Sequence, residues 1–130
     1  MLDSSTKTRV LIVDDEQIIA DTLALILRKS GFETEAAYSG GKAVEMAMVL
    51  RPHVLISDVV MDGMNGIEAA ILISASFPNC RVILFSGNAA TADLLEIAEA
   101  RGHHFELLSK PIHPRVLLEH LTGSQLSMTG

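Results

Sequence analysis

Carboxylates, a hydroxyl group and an ammonium group stand at the ends of short apolar runs along this 130-residue sequence. The residues that carry them are Asp14, Asp15, Asp58, Ser86 and Lys110. In open parallel sheets, ligand sites lie at the carboxyl ends of the strands. If the apolar runs are neighbouring parallel strands, these polar side chains meet in one crevice. Such a set suits a divalent cation together with a phosphoryl group, because Mg²⁺ prefers oxygen ligands and an ammonium group pairs with phosphoryl oxygens.

The elements that must position these residues follow from the hydrophobic pattern. Continuous β-branched runs predict buried parallel strands, and a more polar run predicts an edge strand. The predicted strands are 9–13, 33–37 (the edge strand), 54–57, 81–85 and 105–109. Segments of helical periodicity separate and follow them. Five strands and five helices in strict alternation predict an α/β fold with a doubly wound parallel sheet, helices on both faces and right-handed crossovers.

Length and composition limit the possible functions. The 130 residues suggest one domain, and Cys80 is the single cysteine, so no internal disulfide is possible. The formal net charge of −6 disfavours direct binding to DNA or RNA. No run approaches the roughly 20 apolar residues of a membrane span, and the polar N-terminus has no signal-peptide core, so we expect a cytoplasmic protein. We expect flexible termini at 1–7 and 123–130 around a domain at 8–122.

Four motifs, each at a predicted strand end and in order, resemble those of a response-regulator receiver domain, the phospho-acceptor module of two-component signalling. They are VLIVDDE at 10–16, DVVMDGMNG at 58–66, Ser86-Gly87 and Lys110-Pro111. Each motif alone is weakly specific, whereas all four together are strongly so. The similarity covers about 8–122. It implies a CheY-like, flavodoxin-like (βα)5 fold with strand order 2-1-3-4-5.

The resemblance also implies roles for individual residues. Asp58 would be the nucleophile that accepts a phosphoryl group from a phosphohistidine. Ser86 would donate a hydrogen bond to a phosphoryl oxygen and act as the switch hydroxyl. Lys110 would pair with Asp58 before transfer and with the phosphoryl group after it.

A magnesium site is implied beside the nucleophile. Asp15 would bind Mg²⁺ directly, Asp14 would assist, and Asp58 and the backbone carbonyl of Val60 would complete the protein ligands. Two neighbouring carboxylates would otherwise raise the pKa of the nucleophile, and a cation removes that penalty. We also expect Val60 and Asn88 to line the path to the phosphoryl group, with Val60 limiting the access of an attacking water.

The implied partners are a sensor histidine kinase or a phosphotransfer protein, followed by a downstream protein partner or an output domain; a homodimer is possible. The chain ends soon after the fifth predicted helix, which permits either a stand-alone receiver or a fragment of a longer regulator. Asp62 stands where the family usually has Pro, and Ser86 replaces the more frequent Thr. Leu107 occupies the position of the usual switch aromatic, and Phe105 lies two residues before it, on the same face of the predicted strand.

Three other interpretations stay open at this point. A pseudo-receiver, which binds or dimerises without being phosphorylated, is favoured by Leu107 and opposed by the intact acidic and basic residues. A phosphohydrolase resembling haloacid-dehalogenase phosphatases would need a second Asp two residues after the first, but position 16 is Glu. Finally, Asp14, Asp15 and Glu16 could merely cap the first helix, since acids favour a helix N-terminus.

Overall fold

The computed structural model describes residues 7–87 and 91–129, without the side chains of 91, 92, 94 and 123–129. Strands and helices alternate along it. The strands are β1 (Arg9–Val13), β2 (Glu33–Ala37), β3 (Val54–Asp58), β4 (Arg81–Ser86) and β5 (Glu106–Ser109). The helices are α1 (Gln17–Lys29), α2 (Gly40–Leu50), α3 (Gly66–Ser76), α4 (Thr91–Ala100) and α5 (Pro114–Thr129). None of these helices, within the described part of the chain, is long and apolar enough to cross a membrane.

The five strands form one parallel sheet in the order β2-β1-β3-β4-β5, which confirms the predicted fold and strand order. The polar β2 lies at one edge, as predicted, and β5 lies at the other. The pairing register aligns Val13 with Ser57 and Asp58 with Phe85. The carboxyl ends of β1, β3 and β4 therefore lie side by side, and the residues that follow them share one edge of the sheet.

The core lies on both faces of the sheet, which explains why the central strands are apolar throughout. Alternate residues of each strand point to opposite faces. In β1, Leu11 and Val13 pack with buried residues of α2, α3 and α4, whereas Val10 and Ile12 pack with those of α1 and α5. All four side chains are fully buried. The sheet is thus a middle layer that cannot shift without disturbing two cores.

Three predicted strand boundaries are wrong by one residue: β3 continues to Asp58, β4 continues to Ser86, and β5 begins later. The fifth strand begins at Glu106 rather than at 105, because pairing with β4 starts at Ile83 opposite Glu106. Phe105 instead packs against the core cluster beneath α2, α3 and α4. The last helix, α5, continues to Thr129, through most of the segment 123–130 for which a flexible tail was predicted, and the Thr122 hydroxyl donates to the Leu118 carbonyl within it at 2.9 Å. Flexibility of the two termini stays a prediction, since 1–6 and 130 lie outside the described residues.

An ion network fixes the edge strand β5 to its neighbours at the end of the sheet away from the polar cluster. Arg81 donates two hydrogen bonds to Glu106, at 2.6 and 2.7 Å, and a third to the backbone of His120 in α5. The His120 ring lies 2.7 Å from the same carboxylate. The hydrogen bonds from Arg81 hold the pKa of Glu106 below its usual value, against the opposing effect of partial burial. These contacts join β4, β5 and α5.

The start of α3 is seated against the end of β3. Asn65 caps the helix through a reciprocal pair of hydrogen bonds with Glu68, at 2.8 and 3.1 Å. The amide of Gly66 donates to the Val59 carbonyl at 2.8 Å. A Cβ atom on Gly66 would lie 2.0 Å from the carbonyl oxygen of Asp58, so position 66 admits no side chain unless the backbone moves.

Gly66→Ala is therefore expected to destabilise the fold. Overpacking of this kind typically costs about 1–3 kcal/mol, and here the added methyl group would meet backbone rather than a flexible side chain. Gly41→Ala is the matched control, because a Cβ there meets nothing within 4 Å and alanine favours a helix. Urea unfolding of both variants measures the difference. Equal free energies of unfolding for the two variants would contradict the close seating of α3.

Candidate functional site

The structure brings four of the predicted polar residues together at the carboxyl edge of the sheet. Asp14 and Asp15 follow β1, Asp58 ends β3 and Lys110 follows β5. Each of the three aspartates places a carboxylate oxygen within 4.8 Å of the others. The Lys110 ammonium group donates to Asp58 Oδ2 at 2.9 Å. The crevice inferred from the strand ends is therefore present.

The carboxylates differ in their exposure. Asp14 is fully buried and Asp58 is 3% exposed, whereas Asp15 faces solvent. Asp14 Oδ1 accepts a hydrogen bond from the amide of Glu16 at 2.9 Å. Among the described residues, the buried Oδ2 of Asp14 has no hydrogen-bond partner. A buried carboxylate oxygen with no donor, beside two other carboxylates, fits a divalent cation, because a bound cation would satisfy it.

The charge on Asp14 is poorly compensated. Burial raises the pKa of its carboxyl group above the usual value, and the charges of Asp58 and Asp15 act in the same direction. The hydrogen bond from the Glu16 amide and the charge of Lys110 oppose the increase without cancelling it. The site therefore holds more negative charge than the protein itself neutralises.

Lys110 is held in place from two directions. Its amide donates to the Ser86 carbonyl at 3.1 Å, which fixes its backbone to β4, and its ammonium group lies 5.6 Å from the centroid of the Phe85 ring. Burial acts to lower the pKa of Lys110. The hydrogen bond and the charge of Asp58 outweigh this effect, so the pKa of Lys110 is raised and the group stays an ammonium ion.

Ser86 and Val60 lie at the rim of this cluster. Ser86 is the last residue of β4 and is 8% exposed. The Val60 side chain, two residues after Asp58, is 57% exposed and therefore lies outside the core. The roles expected of both residues stay predictions, and Asn88 lies outside the described residues.

The interpretation of the acidic residues as simple helix caps is not what the structure shows. The N-cap of α1 is Glu16, and its side chain makes no capping hydrogen bond. The carboxylate of Asp14 reaches only the amide of the N-cap residue itself. Asp15 accepts a long hydrogen bond, 3.4 Å, from the amide of Asp62. Pro, which has no N–H, could not make this last contact.

The position at which the resemblance leads us to expect a switch aromatic is occupied by Leu107. Leu107 is 44% exposed on β5, while Phe105 is held against the core. Phe105 therefore does not take the place of an aromatic side chain at position 107.

Two contributors to the site were missed from the sequence. Ser57 lies in the middle of an apolar strand and was treated as part of it, yet it is fully buried and its hydroxyl donates to the Asp58 carbonyl at 2.9 Å. Gly66 was noted only as the last residue of the motif at 58–66, yet it packs directly on that carbonyl. A polar residue in a buried strand is the one signal that could have identified Ser57.

Comparisons with known proteins agree on one family. The family described as "Response regulator receiver domain" matches residues 10–122. Chemotaxis protein CheY of Thermotoga maritima is 35% identical over 114 residues, which cover 87% of this chain and 93% of that protein. The high-resolution structure of Vibrio cholerae chemotaxis protein CheY4 is 28% identical and superposes with a TM-score of 0.79, over 90% of this chain and 98% of that one.

A second group of relatives is longer than this chain. DNA-binding response regulator MtrA of Mycolicibacterium smegmatis is 28% identical over 112 residues, which cover 86% of this chain but 48% of that protein. The chain therefore spans about half the length of the MtrA relatives that it matches.

Because the charge of Asp14 is poorly compensated, we predict that this residue lowers the stability of the metal-free protein while favouring the binding of a cation. Without Mg²⁺, Asp14→Asn is expected to stabilise the fold at neutral pH by roughly 1–3 kcal/mol, the scale for relieving one unsatisfied buried polar group. Because the pKa of Asp14 is raised in the fold, the wild type loses stability as pH rises through that pKa, and the variant should lose less. Thermal unfolding across pH, with and without Mg²⁺, measures both effects.

The matched control for this prediction is Asp15→Asn. Asp15 is exposed and its charge adds only a small part of the penalty on Asp14, so its removal is expected to weaken stabilisation by Mg²⁺ while raising the stability of the metal-free protein less than Asp14→Asn does. A metal-free Asp14→Asn variant that melts below the wild type would contradict the charge argument.

Proposed function

The chain belongs to the response-regulator receiver family, and from this premise we propose that it is a phosphorylation-dependent signalling switch rather than a metabolic enzyme. Asp58 accepts a phosphoryl group from a phosphohistidine: a carboxylate oxygen attacks phosphorus, the P–N bond breaks, and the histidine imidazole leaves. The product is an acyl phosphate on Asp58. The observation that carries this proposal is the buried Asp58, bonded to Lys110 at 2.9 Å and clustered with two further carboxylates.

Phosphoryl transfer asks a protein mainly for positioning and for stabilisation of charge. Asp58 is presented by the rigid end of a central strand, which fixes its direction of attack. Lys110 holds the carboxylate before transfer and is close enough to follow the charge onto a phosphoryl oxygen afterwards. Ser86, at the end of the neighbouring strand, supplies a neutral donor for another phosphoryl oxygen.

The cation of this proposal is Mg²⁺. Asp14, Asp15, Asp58 and the Val60 carbonyl would hold it, and Mg²⁺ keeps several waters when bound by so few protein ligands. Once bound, it offsets the mutual repulsion of the carboxylates and the negative charge of the phosphoryl group. The unpartnered, buried Oδ2 of Asp14 supports this assignment.

The donor is a sensor histidine kinase or a phosphotransfer protein, and the protein acts in the cytoplasm. Phosphorylation changes the binding of a downstream protein or of an output domain in a longer regulator, a homodimer being one form of that change. Neither step involves direct contact of this domain with nucleic acid, for which its charge of −6 is unsuited.

The first test is chemical phosphorylation. Treatment with acetyl phosphate and Mg²⁺ is expected to add the mass of one phosphoryl group, and Asp58→Asn is expected to abolish the gain. Asp62→Asn is the matched control, since it removes a neighbouring carboxylate but keeps the amide that contacts Asp15. Intact-mass spectrometry gives the readout.

No gain of mass by a wild type that binds Mg²⁺ would favour the alternative, a pseudo-receiver interaction module. The observation that favours this alternative is the exposed Leu107 in place of a switch aromatic. In that outcome the fold and the metal site would persist without phosphorylation.

The exposed Val60 side chain, two residues after Asp58, predicts slow loss of the phosphoryl group, because an apolar side chain neither binds nor orients an attacking water. Val60→Asn is expected to speed dephosphorylation several-fold by supplying a polar group that can position that water. Val60→Ile keeps an apolar side chain and should leave the rate near that of the wild type. Decay of the phosphorylated mass after removal of the donor measures the rate; equal decay in the Asn variant and the wild type would exclude this role.

A further inference from the structure

The peptide unit that joins Asp58 to Val59 is held at both of its polar ends. Its N–H, from Val59, donates to the Phe85 carbonyl of β4 at 3.1 Å. Its C=O, from Asp58, accepts from the Ser57 hydroxyl at 2.9 Å. The next carbonyl, from Val59, accepts from the Gly66 amide at 2.8 Å. Three hydrogen bonds therefore fix the backbone directly after the phospho-acceptor.

At the end of β3, the Ser57 hydroxyl supplies a hydrogen bond that β1 no longer provides. The pairing of β1 with β3 stops at Val13 opposite Ser57, one residue before Asp58. Beyond that point the ladder no longer supplies a donor from β1, and the Asp58 carbonyl receives its hydrogen bond from the side chain of the preceding residue. Ser57 is fully buried, so water does not compete for this carbonyl on its side of the strand.

Gly66 closes the other side of the same carbonyl. A Cβ built there would lie 2.0 Å from the Asp58 oxygen and 2.9 Å from Ser57 Oγ. The carbonyl is thus confined between a hydroxyl donor and the backbone of the first turn of α3. It has little room to tilt while that hydrogen bond is intact.

We propose that Ser57 is a positioning residue for phosphoryl transfer: its hydroxyl fixes the peptide after Asp58, and that peptide sets the direction of the Asp58 carboxylate and of the Val60 carbonyl. Both groups share the backbone segment that the three hydrogen bonds hold. Without the hydroxyl, the buried carbonyl lacks a donor and the segment reorients to find one. This inference deepens the proposed function and rests on it.

The test compares Ser57→Ala with Ser57→Cys. Cysteine keeps a group of comparable volume at the position but is a weak donor, so it separates hydrogen bonding from packing. Both variants are expected to weaken Mg²⁺ binding and to slow phosphorylation by acetyl phosphate at saturating Mg²⁺, each by roughly 3- to 10-fold, the effect of losing an ordinary neutral hydrogen bond. Titration calorimetry gives the Mg²⁺ dissociation constant, and intact mass against time gives the rate.

Thr34→Val is the matched control. Thr34 is also a buried hydroxyl residue on a strand of this sheet, and its Oγ1 has no hydrogen-bond partner among the described residues. Its removal should change neither the Mg²⁺ dissociation constant nor the rate. Urea unfolding of every variant shows whether a change in function merely follows a loss of folded protein.

The outcomes are distinct. A Cys variant that matches the wild type beside a slow Ala variant would show a packing role and overturn the proposal, as would two variants that both match the wild type. A wild type that binds Mg²⁺ but accepts no phosphoryl group would overturn the proposed function alone. In that case the Mg²⁺ dissociation constants of the two variants would still decide the role of Ser57.

Discussion

The placement of buried negative charge at one edge of the sheet is the constraint on which the rest of this structure depends. Asp14 and Asp58 are both buried, and their carboxylates lie near each other and near Asp15. Such an arrangement is unfavourable on its own, because burial and like charges both disfavour ionisation. It persists because two core layers fix the strands and because Lys110 offsets part of the charge.

The backbone around these groups is correspondingly rigid. Parallel pairing brings the strand ends together. β1 pairs with β3 no further than Val13, and Asp58 and Ser86 are the last paired residues of β3 and β4. At these strand ends, side-chain and loop contacts take over: Ser57 holds the carbonyl of Asp58, Gly66 holds that of Val59, and the amide of Lys110 holds that of Ser86. Precise placement of a few reacting groups requires this kind of support from neighbours that do not react themselves.

The features set by local sequence patterns were predictable, whereas those that depend on contacts between distant segments were not. The alternation of apolar runs with helical segments determines the fold class, and the polar residues that end those runs identify the site, since a parallel sheet gathers its carboxyl ends. The contact of Gly66 depends on how closely α3 approaches the end of β3, which no local pattern encodes. The start of β5 was likewise not predictable from strand propensity, because the Phe105 side chain packs against the core.

The charges of the site also explain why each group is needed in turn. Three carboxylates against one ammonium group leave an excess of two negative charges, which is the charge that one divalent cation balances. In the proposed function, conversion of the Asp58 carboxylate into an acyl phosphate would add about one further negative charge and three non-bridging oxygens. Lys110 and the cation would each contact only some of those oxygens, so a neutral donor at the end of β4 would become useful only after transfer. Ser86 lies at that position, and its carbonyl accepts from the amide of Lys110, so a movement of either residue is transmitted to the other through the backbone of β4 and β5. With Leu107 exposed and Phe105 in the core, this backbone link and the Lys110–Asp58 ion pair connect Asp58 to the β5 edge of the sheet.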